Sequence, residues 1–210
     1  MKVGVPREVK NHEYRVAITP AGVHEFTRAG HQVYVEAGAG LGSSLRGEEY
    51  AAAGATILSN ADDVWDVADL VLKVKEPVPE ERDRLREGQM LFAYLHLAAS
   101  KECTQMLLDR RVTAIAYETV ELPNRVLPLL APMSEVAGRL APLIGAYHLM
   151  RPSGGRGALL GGVPGVYPAK VVVIGAGVAG MNAAAIALGM QAEVLLLDKD
   201  LTQLRAAAAT

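Results

Sequence analysis

The stretch that decides the fold is KVVVIGAGVAG, from Lys170 to Gly180, followed by EVLLLD, from Glu193 to Asp198. Val171 to Ile174 is a continuous β-branched run, which predicts a buried parallel strand. Three glycines follow with the spacing G-x-G-x-x-G, and the small residues after them predict a closely packed helix. Val194 to Leu197 predicts a second strand. The stretch is therefore predicted to be one β-α-β unit of an α/β sheet.

The glycines and the acid after the second strand have the positions of a dinucleotide site. Gly175 permits the tight turn, Gly177 lets the backbone approach phosphates, and Gly180 lets the helix pack on the strand. The N–H groups at the helix start, with the helix dipole, favour a pyrophosphate. Asp198 can accept hydrogen bonds from ribose hydroxyls and would repel a 2′-phosphate, which favours NAD over NADP, although Lys199 weakens that preference. The alternative is a glycine-rich turn that binds no ligand.

The composition is that of an ordinary globular protein. Half of the 210 residues are apolar, 21% are charged and the net charge is −2, which favours neither nucleic acid nor a membrane surface as partner. The single cysteine, Cys103, excludes an internal disulfide and fits a reducing compartment. No signal segment, membrane-length apolar run or Cys/His metal cluster is visible. We therefore expect a cytoplasmic protein without a metal.

Short apolar strands alternate with helical patterns before residue 133, which is typical of an α/β domain. We predict an N-terminal Rossmann-like domain over residues 1–133, a connecting helix and glycine-rich loop over 134–169, and the start of a Rossmann domain over 170–210. Because two strands cannot form a stable doubly wound sheet, we expect this last domain to be truncated here, or its other strands to come from elsewhere. The strands predicted in the first domain are Val3–Val5, Val33–Glu36, Ala55–Leu58, Leu70–Val74, Met90–Tyr94 and Thr113–Ala116.

Two helix starts and one connecting segment can be predicted from the sequence. Thr19 followed by Pro20 is a capped helix start. Ser134 is predicted to cap a long helix that runs to Leu149, although a helix start also suits a phosphate or carboxamide. The glycine- and proline-rich segment from Ser153 to Pro168 is compatible with a hinge, a flexible linker or an ordered loop.

Polar residues at strand ends are the candidate active-site residues, because ligands collect at the carboxyl ends of open parallel sheets. Lys75 ends one strand and could hold a carboxylate or polarise a carbonyl. Lys73 shares its face, and we expect it to be solvated. His96 follows the next strand and is a candidate proton carrier, with a hydrogen-bonded structural histidine as the alternative.

Arg15 is a further candidate, since its guanidinium could bind a substrate carboxylate at two points. The alternative is a structural ion pair with Glu8 or Glu13, which lie close to it in the sequence.

Taken together, these motifs closely resemble the alanine dehydrogenase/pyridine nucleotide transhydrogenase family. The resemblance implies reversible oxidative deamination of L-alanine to pyruvate and ammonium, with NAD as hydride acceptor, in a homo-oligomer that is commonly a hexamer in this family. It covers essentially the whole chain, and the segments that carry it include VGVPREVKNHEYRVAITPAGV (Val3–Val23), DLVLKVKEP (Asp69–Pro77), LFAYLHLA (Leu91–Ala98) and PLLAPMSEVAGRLA (Pro128–Ala141).

The resemblance also implies roles for individual residues. Arg15 and Lys75 would bind the substrate, and His96 would be the acid/base. Residues 1–133 would then be the substrate (catalytic) domain. The implied cofactor contacts are Ser134, Val178 and Ala179 beside the glycine turn, with Asp198 on the adenosine ribose.

The chain also departs from the family pattern. Gln203 stands where the family usually has a basic residue, and Gln191 replaces the glycine of the helix-to-strand turn. The second catalytic residue of the family, an aspartate, falls beyond position 210, so we expect the chain to be impaired alone. Two alternatives stay open: the NAD-binding component of a proton-translocating transhydrogenase, and a non-catalytic NAD-binding or assembly fragment.

Overall fold

The computed structural model describes residues 1–209, which form two compact units, residues 1–120 and residues 121 onward. The first unit holds a six-stranded parallel sheet with the order β3-β2-β1-β4-β5-β6, and the second holds a two-stranded parallel sheet, β7-β8. This is the predicted Rossmann-like α/β class. The division at Val120 lies before the predicted boundary, and the three-part division proposed from the sequence stays a prediction.

The first unit alternates strands and helices as predicted, and each predicted strand is found with ends that differ by no more than one residue. The strands are short and mostly apolar, three to six residues long, which suits parallel strands buried between two layers of helices. The strands are β1 (Lys2–Val5), β2 (Gln32–Glu36), β3 (Thr56–Leu58), β4 (Leu70–Lys75), β5 (Met90–Tyr94) and β6 (Thr113–Ala116). The α-helices are α1 (Pro20–Arg28), α2 (Gly47–Ala52), α3 (Ala61–Val67) and α4 (Lys101–Asp109).

Two hydrophobic clusters cover the sheet and hold its strands in register. One is built around Val3, Val33 and Tyr50, and the other around Trp65 and Leu91, all of them at most 2% exposed. The predicted cap of α1 is confirmed, since the side chain of Thr19 accepts a hydrogen bond from the Gly22 N–H. Because all six strands are parallel, their carboxyl ends share one edge of the sheet, where the candidate residues follow.

The long helix of the second unit, α5 (Ala131–Leu149), begins earlier than predicted, so the expected cap at Ser134 is wrong. Pro132 suits the first turn of a helix, because it lacks the N–H that would be unpaired there. The N–H groups of Met133 and Ser134 both donate to the Leu130 carbonyl. Ser134 therefore lies inside the first helical turn. The remaining elements are β7 (Lys170–Ile174), α6 (Val178–Gly189), β8 (Glu193–Leu197) and α7 (Leu201–Ala207).

The strand that decides the fold is parallel, as predicted, but it is not buried throughout. Val173 is buried, whereas Val172 is 50% and Ile174 86% exposed. The reason is that β7 has a single neighbour, β8, among the described residues. The glycine-rich segment before it forms an ordered loop, whose buried Leu160 accepts a hydrogen bond from the Ala169 N–H at 2.9 Å.

Gln191, in the turn between α6 and β8, has the left-handed backbone that favours glycine, with φ +64°. We expect Gln191→Gly to raise the free energy of unfolding by about 0.5–1 kcal/mol, because a Cβ is disfavoured in this conformation. Equilibrium urea denaturation measures the change. Gln191→Ala is the control, since it keeps the Cβ; an equal gain in that variant would contradict the explanation.

Candidate active site

Arg15, in the segment between β1 and α1, forms a two-point ion pair with Glu13. Its Nε and Nη2 donate to the two Glu13 carboxylate oxygens at 2.7 and 2.6 Å. These hydrogen bonds lower the pKa of Glu13 and raise that of Arg15. The structural ion pair considered from the sequence is therefore present. It fixes the guanidinium plane while leaving 43% of the Arg15 side chain exposed.

Lys75 ends β4 and is partly buried. It lies opposite Tyr94 in the register of β4 and β5. Its charge contributes to the lowered pKa of Glu13, after the larger contribution of the Arg15 hydrogen bonds. Arg15 in turn interacts electrostatically with Tyr94. Arg15 and Lys75 are thus brought together around the same two side chains, Glu13 and Tyr94.

His96 follows β5 with a left-handed backbone, φ 50° and ψ 38°. Its N–H donates to the Glu118 carboxylate at 2.7 Å, and the same carboxylate accepts from the Leu95 N–H at 3.1 Å. The imidazole Nδ1 lies 3.6 Å from Glu76 Oε2, and the ring centroid is 6.5 Å from that of Tyr94. Because an uncommon backbone conformation is held by a carboxylate from the neighbouring strand end, the position of the ring is tightly specified.

Glu76 is the acidic partner of His96 and is itself held by Lys10, which donates to its other carboxylate oxygen. Burial raises the pKa of Glu76, but the Lys10 hydrogen bond and charge outweigh it, so that the net pKa is lowered. The carboxylate is therefore kept ionised beside the imidazole. A histidine that is 47% exposed and lies 3.6 Å from a carboxylate oxygen is a suitable general acid or base.

The expectation that Lys73 is solvated is wrong, because its side chain is only 1% exposed. Its Nζ lies 3.0 Å from Glu81 Oε1 and 3.3 Å from Glu8 Oε2. These carboxylates come from a loop after β1 and a 3₁₀ turn after β4. The Lys73 ammonium group is therefore enclosed by one partner 65 residues away and another eight residues away.

In the second unit, the glycine turn has the geometry that a pyrophosphate needs. Gly175 has φ +104°, and a Cβ on Gly180 would lie 1.8 Å from the Gly175 carbonyl oxygen, so neither position tolerates a side chain. A Cβ on Gly177, in contrast, would meet no atom within 4 Å. In the described residues no side chain caps α6 there. The helix start is thus open to an anion, as a dinucleotide requires.

Asp198 joins the two strand ends of this unit. Its carboxylate accepts hydrogen bonds from the Ala176 N–H at 2.6 Å and the Asp200 N–H at 2.8 Å. The pKa of Asp198 is lowered by these hydrogen bonds, chiefly that from Asp200. The acid therefore stays ionised beside the glycine turn.

Ser134, Val178 and Ala179 lie near that turn on two packed helices. A Cβ on Gly138 of α5 would come within 2.2 Å of the Ala179 carbonyl oxygen, which shows how closely α5 approaches the start of α6. Ser134 lies one helical turn before Gly138, on the same side of α5.

Comparison with known proteins identifies the family. The family model described as "Alanine dehydrogenase/PNT, N-terminal domain" matches residues 4–137, and the model of the C-terminal domain matches residues 141–210. The chain belongs to the alanine dehydrogenase/PNT family. It is 63% identical over 205 residues to an alanine dehydrogenase of Mycobacterium tuberculosis (strain CDC 1551 / Oshkosh), covering 98% of this chain and 55% of that protein. The chain thus spans about half the length of the curated relatives that it matches.

Solved structures of this family have the same fold. An L-alanine dehydrogenase superposes with a TM-score of 0.92 at 50% identity, covering 100% of this chain and 58% of that one. A transhydrogenase from Sinorhizobium meliloti superposes with a TM-score of 0.82 at 28% identity, covering 100% and 60%. Across residues 1–209, the model contains no helix long and apolar enough to cross a membrane, and no group of three or more potential metal ligands.

Three side chains around the candidate residues were not predicted from the sequence: Tyr94, Glu118 and Lys10. Tyr94 lies between Arg15 and His96, and Glu118 holds the His96 backbone. Glu118 follows β6, so the strand-end rule that selected Lys75 could have found it. Lys10 lies in a loop and had no comparable signal.

Proposed function

We propose that this chain carries the substrate site and the dinucleotide-binding segment of an NAD-dependent L-alanine dehydrogenase. The reaction converts L-alanine, NAD⁺ and water to pyruvate, ammonium, NADH and a proton, and is reversible. The observation that carries the proposal is the grouping of Arg15, Lys75 and His96 around shared partners at one sheet edge. The named relatives at 55–63% identity support the choice of substrate.

Each of the three residues has a role that suits its surroundings. Arg15 binds the substrate carboxylate with a guanidinium whose plane Glu13 fixes. Lys75 polarises the carbonyl or imine from the end of β4. His96 moves protons as the imine is hydrated and the resulting carbinolamine collapses, and its Glu76 partner stabilises the imidazolium form.

The glycine turn of the second unit holds the cofactor in this proposal. The N–H groups of Val178 and Ala179 at the α6 start bind the pyrophosphate, with Gly175, Gly177 and Gly180 shaping the turn and Ser134 beside it. Asp198 accepts the ribose hydroxyls and selects NAD over NADP, because its ionised carboxylate repels a 2′-phosphate. The chemistry that bound NAD would supply is that of a hydride acceptor.

The experiment that tests the proposal is the appearance of NADH when L-alanine and NAD⁺ are added to the purified protein. Alanine-dependent NADH formation supports it. Hydride exchange between NADH and an oxidised nucleotide, without dependence on alanine, would instead support a transhydrogenase component, which the Sinorhizobium meliloti structure favours. NADH binding in isothermal titration with neither turnover nor binding of pyruvate would support the non-catalytic fragment and contradict the proposal, because a chain that carries the substrate site binds pyruvate even where turnover is impaired.

The cofactor assignment has its own test in the glycine turn. We expect Gly177→Ala to weaken NADH binding at least about tenfold, equal to about 1.4 kcal/mol, because the methyl group occupies the space of the approaching phosphate. It meets no protein atom within 4 Å, so the fold is not strained. Isothermal titration with NADH measures the change. Gly189→Ala, in an equally open position at the other end of α6, is the matched control; equal losses in the two variants would contradict the assignment.

A further inference from the structure

A buried charge cluster formed by Glu8, Lys73 and Glu81 lies beneath the candidate active site. The three side chains are 3%, 1% and 1% exposed, and the Lys73 ammonium group bridges the two carboxylates. Burying three charges carries a desolvation penalty that two ion pairs only partly offset. No step of the proposed reaction uses these groups, so any effect that they have on the site passes through the neighbouring backbone.

The neighbouring backbone contains an irregularity in β4. Leu72 pairs with Phe92 of β5, whereas Lys75 pairs with Tyr94, so that Lys73 and Val74 together stand opposite Ala93. Two residues opposite one is the arrangement of a β-bulge, which bends a strand and redirects the side chains after it.

Glu8 contacts both residues of the bulge. The Val74 N–H donates to Glu8 Oε1 at 2.6 Å, and Lys73 Nζ lies 3.3 Å from Glu8 Oε2. β1 ends at Val5, and its register with β4 runs only from Leu70 to Val71. The Glu8 carboxylate therefore supplies the acceptor that a neighbouring strand would otherwise provide.

Glu81 shares only one of these contacts. It pairs with Lys73, and its second oxygen accepts from the Val78 N–H at 3.0 Å at the start of a 3₁₀ turn. Among the residues that the structure describes, Glu81 forms hydrogen bonds with Lys73 and Val78 and none with the Val74 backbone. The two carboxylates thus have similar burial and the same cationic partner, but only Glu8 is bonded to the backbone of the bulge.

The bulge determines where Lys75 stands. In an unbroken register Val74 would lie opposite Tyr94, and Lys75 would lie one position further along β5. A shift of one residue in a strand places a side chain on the other face of the sheet. The bulge is therefore what brings Lys75 next to Tyr94 and Glu13.

We propose that Glu8 is a positioning residue that fixes Lys75 in the substrate site by holding the β4 bulge. This inference rests on the proposed function, because it takes Lys75 as a ligand of the substrate carbonyl. In the proposed reaction Glu8 itself touches no reacting atom, and its effect passes through the backbone from Val74 to Lys75.

A double-mutant cycle on pyruvate binding tests the inference. Isothermal titration with pyruvate, in the presence of NADH and without ammonium, is carried out on the wild type, Glu8→Met, Lys75→Met and the Glu8→Met/Lys75→Met double variant. Methionine has a similar length but no oxygen to accept the Val74 N–H, so Glu8→Met removes the contact that holds the bulge. We expect it to weaken pyruvate binding about tenfold, since small misplacements of a binding group have effects of this size or larger. In the Lys75→Met background, Glu8→Met should have no further effect, because its only route to the substrate has been removed.

Glu81→Met is the matched control, and we expect it to leave pyruvate affinity unchanged within about twofold, as it keeps the contact between Glu8 and the Val74 N–H. Independent losses in the cycle, or an equal loss in Glu81→Met, would overturn the inference and leave the proposed function intact. Unchanged binding in Lys75→Met would overturn the assigned role of Lys75 itself. If Glu8→Met does not fold, Glu8→Asp replaces it in the same cycle, because it keeps the charge but is too short to reach Val74.

Discussion

His96→Ala is expected to lower alanine-dependent turnover by about 10²- to 10⁴-fold, the usual contribution of a general acid–base group. The His96 imidazole at this sheet edge is 47% exposed and has a carboxylate oxygen 3.6 Å from its Nδ1. Steady-state rates of NADH formation measure the loss. The affinity for NADH should change little, because the proposed pyrophosphate and ribose contacts lie in the segment from Gly175 to Asp198.

His96→Asn is the more stringent variant for this prediction. His96 has φ 50°, a conformation that asparagine adopts more readily than alanine, so the Asn variant keeps the backbone while removing proton transfer. Both variants should lose turnover to a similar degree and show the circular dichroism of the wild type. A parallel loss of NADH affinity and turnover would instead show that His96 has a structural role.

The strands were predictable because each depends on a local pattern. Met90–Tyr94 and Thr113–Ala116 were found with the predicted ends, since apolar runs between turn residues specify buried parallel strands without information from the rest of the chain. Ser134 shows where local preference fails. Serine is a good cap, but Pro132 two residues earlier suits the first helical turn, and the helix begins at Ala131 instead.

The candidate site was predictable only in part, because its residues are held by contacts between distant segments. Strand-end position selected Lys75 and His96, and both lie at the shared edge of the sheet. The environment of Lys73 was not predictable, since its partner Glu8 lies 65 residues away and its burial follows from the packing of three segments. The pattern of a strand indicates which positions are apolar, but it cannot predict which charged residues form a buried ion pair.

The second large effect is expected for Lys73→Met. Removing the cation leaves the carboxylates of Glu8 and Glu81 together and almost fully enclosed, without a neutralising partner. Loss of one partner from a buried charged group costs about 3–5 kcal/mol, so we expect the free energy of unfolding to fall by that amount at neutral pH. Equilibrium urea denaturation gives the difference. Lys75→Met, two residues along the same strand and partly exposed, should cost about 1 kcal/mol or less.

The pH dependence of this loss identifies its cause. In the native protein burial raises the pKa of Glu8, and the charge of Lys73 is the largest influence opposing it. Without that charge the folded-state pKa rises further above the unfolded value, so the folded variant binds more protons and becomes more stable as pH falls through the raised pKa. The difference between Lys73→Met and the wild type should therefore shrink on acidification from neutral pH, as the Glu8 carboxyl, whose pKa is raised by burial, takes up its proton. A loss that stays constant on acidification would indicate a packing defect and exclude the repulsion of two buried carboxylates as the main effect.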